Sequence, residues 1–237
     1  MANQHFDFKQ FRVTQKQAVF KVGTDGVLLG AWARTFDMGD ALDIGTGTGL
    51  LALMVAQRSP MSVDAIEPDK QSADEASENV KVSRWSKRVT VLNTSLQDYA
   101  AETGKKYDLI ITNPPFFIDS VLNIDKRLSG TRHNVTLGAD DILVSVSKLL
   151  KESGRLSLIL PYTEGNIFIA MASAYGLYCN RLTRVKPIPS KPVRRLLLEF
   201  SRFKEVLISD YLTIERGNRH EYSPEYIALT RDFYLDF

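Results

Sequence analysis

Apolar positions in this chain alternate between two rhythms. Some form short runs, and others recur every three or four residues over longer stretches. The first rhythm suits strands buried in a sheet, and the second suits helices with one apolar face. Residues 26–36, GVLLGAWARTF, set Val27, Leu28, Ala31 and Trp32 on one helical face. Strands are then predicted over 41–44, 62–66, 89–92, 107–112 and 155–160. Helices are predicted over 50–57, 70–82, 139–151 and 163–174. Consecutive Leu109, Ile110 and Ile111 mark a strand covered on both faces. Gly154 reads as the stop near the end of one helix and Gly176 as the stop of the next.

This order implies a mostly parallel sheet with helices on both faces. The rhythm changes after Leu177. Two further strands, 179–186 and 194–203, are joined by PIPSKPV, which is too short for a helical crossover, so they form an antiparallel hairpin. That makes seven strands. The stretch SPEYIALTRDFY near the end reads as a terminal helix.

Composition narrows the class only a little. Hydrophobic residues make up 44% and charged residues 24% of the 237 positions, as in a folded globular protein. A net charge of +2 means that a nucleic-acid partner needs a local basic patch. The lone Cys179 excludes an intrachain disulfide framework and a CxxC metal site. No metal is expected. Without a secretory leader or a stretch approaching the ~20 apolar residues of a membrane helix, the expectation is a cytoplasmic protein with no membrane partner.

The first chemical signal lies between the 41–44 strand and its helix. In ALDIGTGTGLLAL, Gly45, Gly47 and Gly49 allow a sharp turn and close approach of a ligand, and the helix that follows points its free N–H groups into the same space. A dinucleotide fingerprint would need its third glycine at Leu50, so the GxGxG spacing favours a ligand with an adenosine end and an amino acid end. Asp43 precedes the loop, with Thr46 inside it. Glu67 ends the next strand, where an acid can bind both ribose hydroxyls; Pro68 follows it. Asp98, after the third strand, stands where a side chain can contact an adenine ring.

The second signal is ITNPPFFID, residues 111–119. Asn113 lies at the carboxyl end of the fourth strand, across the sheet's switch point from the glycine loop. A residue before proline is pushed out of the helical region, so Pro114 and Pro115 stiffen the backbone around the amide. The Asn113 side-chain oxygen and the Pro114 carbonyl can together hold one –NH₂ group with its lone pair aimed at a reacting centre. Phe116 can stack on a flat base. Read alone, the stretch is also an ordinary proline turn above apolar packing.

DIGTGTG resembles the E/DxGxGxG loop of class I S-adenosylmethionine-dependent methyltransferases, and NPPF resembles the [DN]PP[YF] motif of those acting on amino groups. The resemblance implies a Rossmann-like fold, S-adenosylmethionine as cofactor, and an adenine, cytosine, guanine or glutamine nitrogen as target. FKVGTDGVLLGAWA, residues 20–33, is similar to the opening of the bacterial tRNA1(Val) adenine-37 N6-methyltransferase family. That likeness spans nearly the whole chain. It implies a tRNA substrate and places Lys21, Gly23, Thr24 and Asp25 above the cofactor. One domain over 1–237 is expected, with 1–38 as a cap on a 39–237 core, acting as a monomer. Methylation of a protein glutamine or of guanine N2 is the alternative within enzymes. A non-catalytic RNA-binding module is the alternative outside them.

Two stretches carry candidate RNA contacts. In RLSGTRHN, Arg132 can grip a phosphate and His133 can stack on a base; Thr131 departs from the small apolar residue the family carries there. Residues 181–204 gather eight basic side chains, Arg194 and Arg195 among them, against the single acid Glu199. Charge protecting a solvated sheet edge is the other reading of that patch.

Overall fold

The computed structural model describes residues 4–115 and 137–237. A small hairpin, β1 (His5–Asp7) with β2 (Arg12–Thr14), comes first, followed by α1 (Thr24–Trp32). Strands and helices then alternate: β3 (Asp40–Ile44), α2 (Leu50–Arg58), β4 (Ser62–Glu67), α3 (Lys70–Lys81), β5 (Val89–Asn93), α4 (Leu96–Glu102) and β6 (Tyr107–Thr112). After residue 137 come α5 (Ala139–Leu149), β7 (Leu150–Pro161), α6 (Tyr162–Ala172), β8 (Tyr178–Lys186), β9 (Arg195–Ser201), β10 (Ile208–Thr213) and α7 (Pro224–Thr230).

The main sheet runs β10-β8-β9-β7-β6-β3-β4-β5. Within it β9 pairs antiparallel with both β7 and β8, and the remaining pairs are parallel. The mostly parallel sheet and its antiparallel hairpin match expectation, with one strand more than the seven expected. The addition is β10, an edge strand that pairs with β8 from Ile208↔Arg181 to Thr213↔Lys186. Its exposed Ile208 and Tyr211 give no clean alternation, so periodicity alone does not reveal it.

One apolar layer joins α1 and α2 to one face, through Val27, Leu28, Leu53 and Met54. The other joins α5 and α6, through Ile142, Leu143, Val146 and Phe168. Where α1 crosses α2 the backbones meet at Gly30, where a β-carbon would lie 2.5 Å from the Met54 sulfur.

The predicted 139–151 helix ends earlier, at Leu149, because β7 starts at Leu150 and runs through Gly154 to Pro161. Gly154 does not stop a helix. It sits at an irregularity where β7 passes β6, and a β-carbon there would come within 2.8 Å of the Tyr107 carbonyl. Gly176 does close its helical segment, in the left-handed conformation at φ 69°.

A buried polar stripe on α3 clamps the N-terminal segment. The Glu75 carboxylate accepts from the N–H groups of Lys16 (2.6 Å), Gln17 (3.1 Å) and Ala18 (2.8 Å). Ser72 Oγ accepts from Val19 N. The Asn79 amide exchanges hydrogen bonds with Thr14 N and O and also donates to the Thr48 carbonyl of the glycine loop. The segment is thereby tied to the loop beneath it. Glu75→Ala leaves three amides without their acceptor, and charge-assisted bonds of this kind are worth ~1.5–3 kcal/mol each at most. We expect a loss of about 3 kcal/mol of stability and faster amide exchange at Lys16, Gln17 and Ala18. Unchanged exchange there would show that the carboxylate is not the anchor.

Candidate active site

The crevice lies at the carboxyl ends of the parallel strands, where β4 lies to one side of β3 and β6 to the other. Register places Ile44, Ile66 and Thr112 level with one another. The Thr112 hydroxyl donates to the Ile44 carbonyl at 2.8 Å, so the strand end before Asn113 is tied to the strand end before the glycine loop.

The loop is held from behind and open in front. Gly45 N and Thr46 N donate to the Ile66 carbonyl. Gly45 and Gly47 have φ of 67° and 57°, and a β-carbon on either would meet nothing within 4 Å. A side chain there would be strained by the backbone and would also occupy open space that a ligand can use. Gly49 caps the start of α2.

Asp43 is fully buried. Its Oδ2 accepts from the Thr46 hydroxyl (2.5 Å) and from Ala52 N (3.1 Å), bracing the turn, while its Oδ1 has no hydrogen-bond partner among the described residues. Burial pushes its carboxyl from the ordinary 3.8 up to about 7; the Thr46 and Ala52 bonds oppose this, and the charge of Glu67 adds to it. The linkage follows from proton counts. Between these two values the folded state binds more protons than the unfolded chain, so this group's contribution to stability falls as pH rises from about 4 to about 7. The full effect is at most roughly 4 kcal/mol. Asp43→Asn should therefore gain stability relative to the parent protein between pH 4.5 and 8, read from urea midpoints. Parallel pH curves for the two proteins would refute this.

Glu67 is nearly buried and holds two backbone amides: Gly47 N donates to Oε2 at 2.9 Å and Asp69 N to Oε1 at 3.1 Å. Burial raises its pKa and the two amides pull against that rise. Four acceptor positions on a carboxylate minus these two leaves about two, the number a ribose diol needs. Pro68 is exposed beside it, and its carbonyl accepts from Asn93. Asp98 is exposed in the first turn of α4; its Oδ2 takes the Ser95 hydroxyl at 2.6 Å while Ser95 Oγ takes Asp98 N.

Asn113 is half-buried, Pro114 buried and Pro115 half-buried. A β-carbon on Gly26, in the first turn of α1, would lie 2.9 Å from Leu50 and 3.9 Å from Asn113 Nδ2. The N-terminal helix therefore packs directly beside the amide. Gly23 caps α1; Lys21 and Thr24 are exposed, and Gln15 closes the loop before the helix by accepting from Val22 N at 2.8 Å. Phe116, Arg132 and His133 lie outside the described residues.

The basic stretch 181–204 divides by role. Arg181 lies 3.9 Å from the Trp32 ring centroid and donates to the Trp32 carbonyl at the end of α1, near buried Glu199. Arg58 adds two bonds to the same helix end, at the Gly30 and Ala33 carbonyls. Arg202 caps α5 through the Ser147 and Leu150 carbonyls. Arg195 Nε donates to Asp25 Oδ2 at 2.7 Å, joining the hairpin to the segment above the crevice. Arg194 is exposed. A large cleft of about 1290 Å³ lies to one side, lined by Gly23, Thr24, Asp25, Arg194 and Arg195 and by aromatic residues near the C-terminus, and not by the glycine loop.

A mostly parallel sheet with one antiparallel strand, an open glycine loop after β3 and an acid at the end of β4 define a class I methyltransferase. Residues 10–161 match the methyltransferase small domain family. The fold is shared with a protein of Agrobacterium tumefaciens described as a predicted O-methyltransferase, at TM-score 0.66 and 21% identity, covering 88% of this chain and 96% of that one. It is also shared with the ribosomal protein L11 methylase of Lactobacillus delbrueckii subsp. bulgaricus, at TM-score 0.58 and 19% identity, covering 81% and 84%. The tRNA1(Val) (adenine(37)-N6)-methyltransferase of Trichodesmium erythraeum (strain IMS101) is 45% identical, over 100% of both chains. The same enzyme of Parabacteroides distasonis is 44% identical over 99% of both. The chain belongs to the tRNA1(Val) (adenine(37)-N6)-methyltransferase family.

Proposed function

We propose that this protein transfers a methyl group from S-adenosylmethionine to N6 of an adenine in tRNA, at position 37 of a valine tRNA as in the names of its relatives. The observation that carries this reading is Asn113-Pro114-Pro115 at the end of β6, across the switch point from a glycine loop braced by Glu67.

The residues present fit the cofactor. Gly45 and Gly47 face open space, Glu67 keeps acceptor capacity for a diol, and Asp43 Oδ1, which has no partner among the described residues, is a site for a positive or donating group. S-adenosylmethionine, when bound, supplies an activated methyl group. In this reading Asp43, Gly45, Thr46, Gly47 and Gly49 hold its amino acid end, Glu67 and Pro68 its ribose, and Asp98 its adenine. Lys21, Gly23, Thr24 and Asp25 close over it, with residues 1–38 acting as a cap on the core.

Asn113 Oδ1 and the Pro114 carbonyl accept the two hydrogens of the target amino group. Its lone pair is otherwise delocalised into the ring, and two fixed acceptors turn it toward the methyl. Phe116 stacks on the base. No side-chain base is required before attack. Arg132, His133, Arg194 and Arg195 are the RNA contacts in this reading, with Arg195 also holding Asp25. No helix among the described residues is long and apolar enough to cross a membrane. We take the protein to work in the cytoplasm as a monomer.

The test is methyl transfer from labelled cofactor to unmodified tRNA, with mass spectrometry of the nucleosides. The expected product is N6-methyladenosine, absent when adenine 37 is replaced by guanine. Label in a protein, or as N2-methylguanosine, would overturn the reading.

A further inference from the structure

We infer that the hairpin formed by residues 214–222, together with the turn before β9, is a phosphate-binding rim that grips the RNA substrate away from its target nucleotide; this rests on tRNA being the substrate. Sheet register places the rim. Thr213 is paired with Lys186, Val185 with Arg195, and Arg195 with Pro161, so the ends of β10, β8 and β7 and the start of β9 stand along one edge. Asn113 leaves β6 on that same edge. At ~4.8 Å per strand, β10 lies on the order of 19 Å from β6. Contacts at β10 would therefore fall on nucleotides well removed from a base held at Asn113.

The hairpin rising from β10 is well defined. Ile214 N donates to the Lys186 carbonyl and Glu215 N to the Pro187 carbonyl, which fastens it to the end of β8. Glu215 bridges Tyr222, and Arg216 N donates to the Glu221 carbonyl. Its tip carries His220 at φ 68°, held by its N–H to Glu215 Oε1 at 2.8 Å. The two acids of the hairpin are thus engaged in shaping it: Glu215 holds His220, and Glu221 Oε1 accepts from Asn218.

The cations are left facing solvent. Lys191, Arg194, Arg216 and Arg219 are exposed, and among the described residues none of them forms an ion pair with a carboxylate. Arg216 uses its Nε on the Tyr222 carbonyl and keeps its terminal nitrogens. At the opposite edge of the sheet Lys105 and Lys151 are paired with Asp40, Asp64 and Asp108, while Arg84, Lys87 and Lys106 are exposed. Four exposed cations without an ion pair among the described residues thus stand on the edge that bears Asn113, in a chain of net charge +2. Arginines on a rigid hairpin suit the bidentate contacts that phosphate oxygens accept. Such contacts set register and affinity and do not read sequence.

The experiment compares Arg216→Glu/Arg219→Glu with a control of equal charge change at the other end of the sheet, Arg84→Glu/Lys87→Glu. Binding of unmodified tRNA is measured across a salt series, with methylation kinetics and calorimetry of S-adenosylmethionine alongside. The rim variant should bind tRNA about tenfold to a hundredfold more weakly, and its salt slope should fall by about two, roughly one for each phosphate that is no longer neutralised. The kcat at saturating tRNA and the cofactor affinity should stay within about twofold of the parent, since Arg216 and Arg219 themselves do not line the cleft that Glu215 and His220 share with Gly23, Thr24 and Asp25. If the parent enzyme methylates tRNA and the rim variant behaves like the control, the rim is wrong and the substrate assignment stands. If the parent neither binds nor methylates tRNA, the substrate assignment falls and the rim falls with it.

Discussion

Replacing Asn113 with alanine should remove methyl transfer almost completely while leaving cofactor binding nearly intact. Preorganised acceptors commonly contribute about 10²–10³ to a rate. In the proposed mechanism one group supplies both orientation and polarisation of the amine, so a loss of about 10³–10⁴ in kcat is expected, or ~4–5.5 kcal/mol in the barrier. Folding should change little, because the Thr112 hydroxyl bond to Ile44 and the two prolines that shape the strand end all remain. Single-turnover transfer to tRNA, with calorimetry of S-adenosylmethionine, separates the two quantities. Asn113→Asp keeps an acceptor of similar shape and should retain more activity than alanine. A loss of about tenfold or less in the alanine variant would mean that the amide is only a turn-former.

Glu67→Ala should act on cofactor affinity. It removes the acceptor of Gly47 N and of Asp69 N as well as the group proposed to hold the ribose. Two charge-assisted ligand bonds and a loosened loop together correspond to a Kd weakened by about 10²–10³, or ~3–4 kcal/mol. The KM for S-adenosylmethionine should rise in parallel, with kcat at saturation falling only a few-fold. Glu67→Gln keeps one acceptor and should lie between. A Kd unchanged in Glu67→Ala would show that Glu67 only ties the loop and that another group binds the ribose.

Both variants act on residues that linear order singles out as candidates. A strand, three glycines, a helix and an acid at the next strand end form a local pattern, and the backbone conformations of Gly45 and Gly47 follow from it. Residues whose partners lie far away in the chain are less legible. Ser72, Glu75 and Asn79 recur at helical spacing and look like a solvated face; they are buried because the segment 14–19 folds over them. Among the eight basic residues of 181–204, Arg181 and Arg202 cap helix ends that charge counting does not reveal. Gly154 reads as a helix stop because it follows a helix, yet it serves a close approach to Tyr107 on a distant strand.

Linear order left the β1–β2 hairpin and α4 unread, but it was enough to establish the alternation of strands and helices from β3 to α3 and the antiparallel hairpin, and to single out the glycine loop, Glu67 and Asn113 as candidate site residues. Those depend on side-chain periodicity and on the steric limits of glycine and proline, which act over a few residues. Packing of the folded chain was needed to show that β10 adds an edge strand beside β8, that α3 clamps the N-terminal segment, that Arg195 is joined to Asp25, and which cations stay exposed on the rim. Each of these is a pairing between groups far apart in the chain, and a hydrogen bond or ion pair has no local signature until folding brings its two partners together.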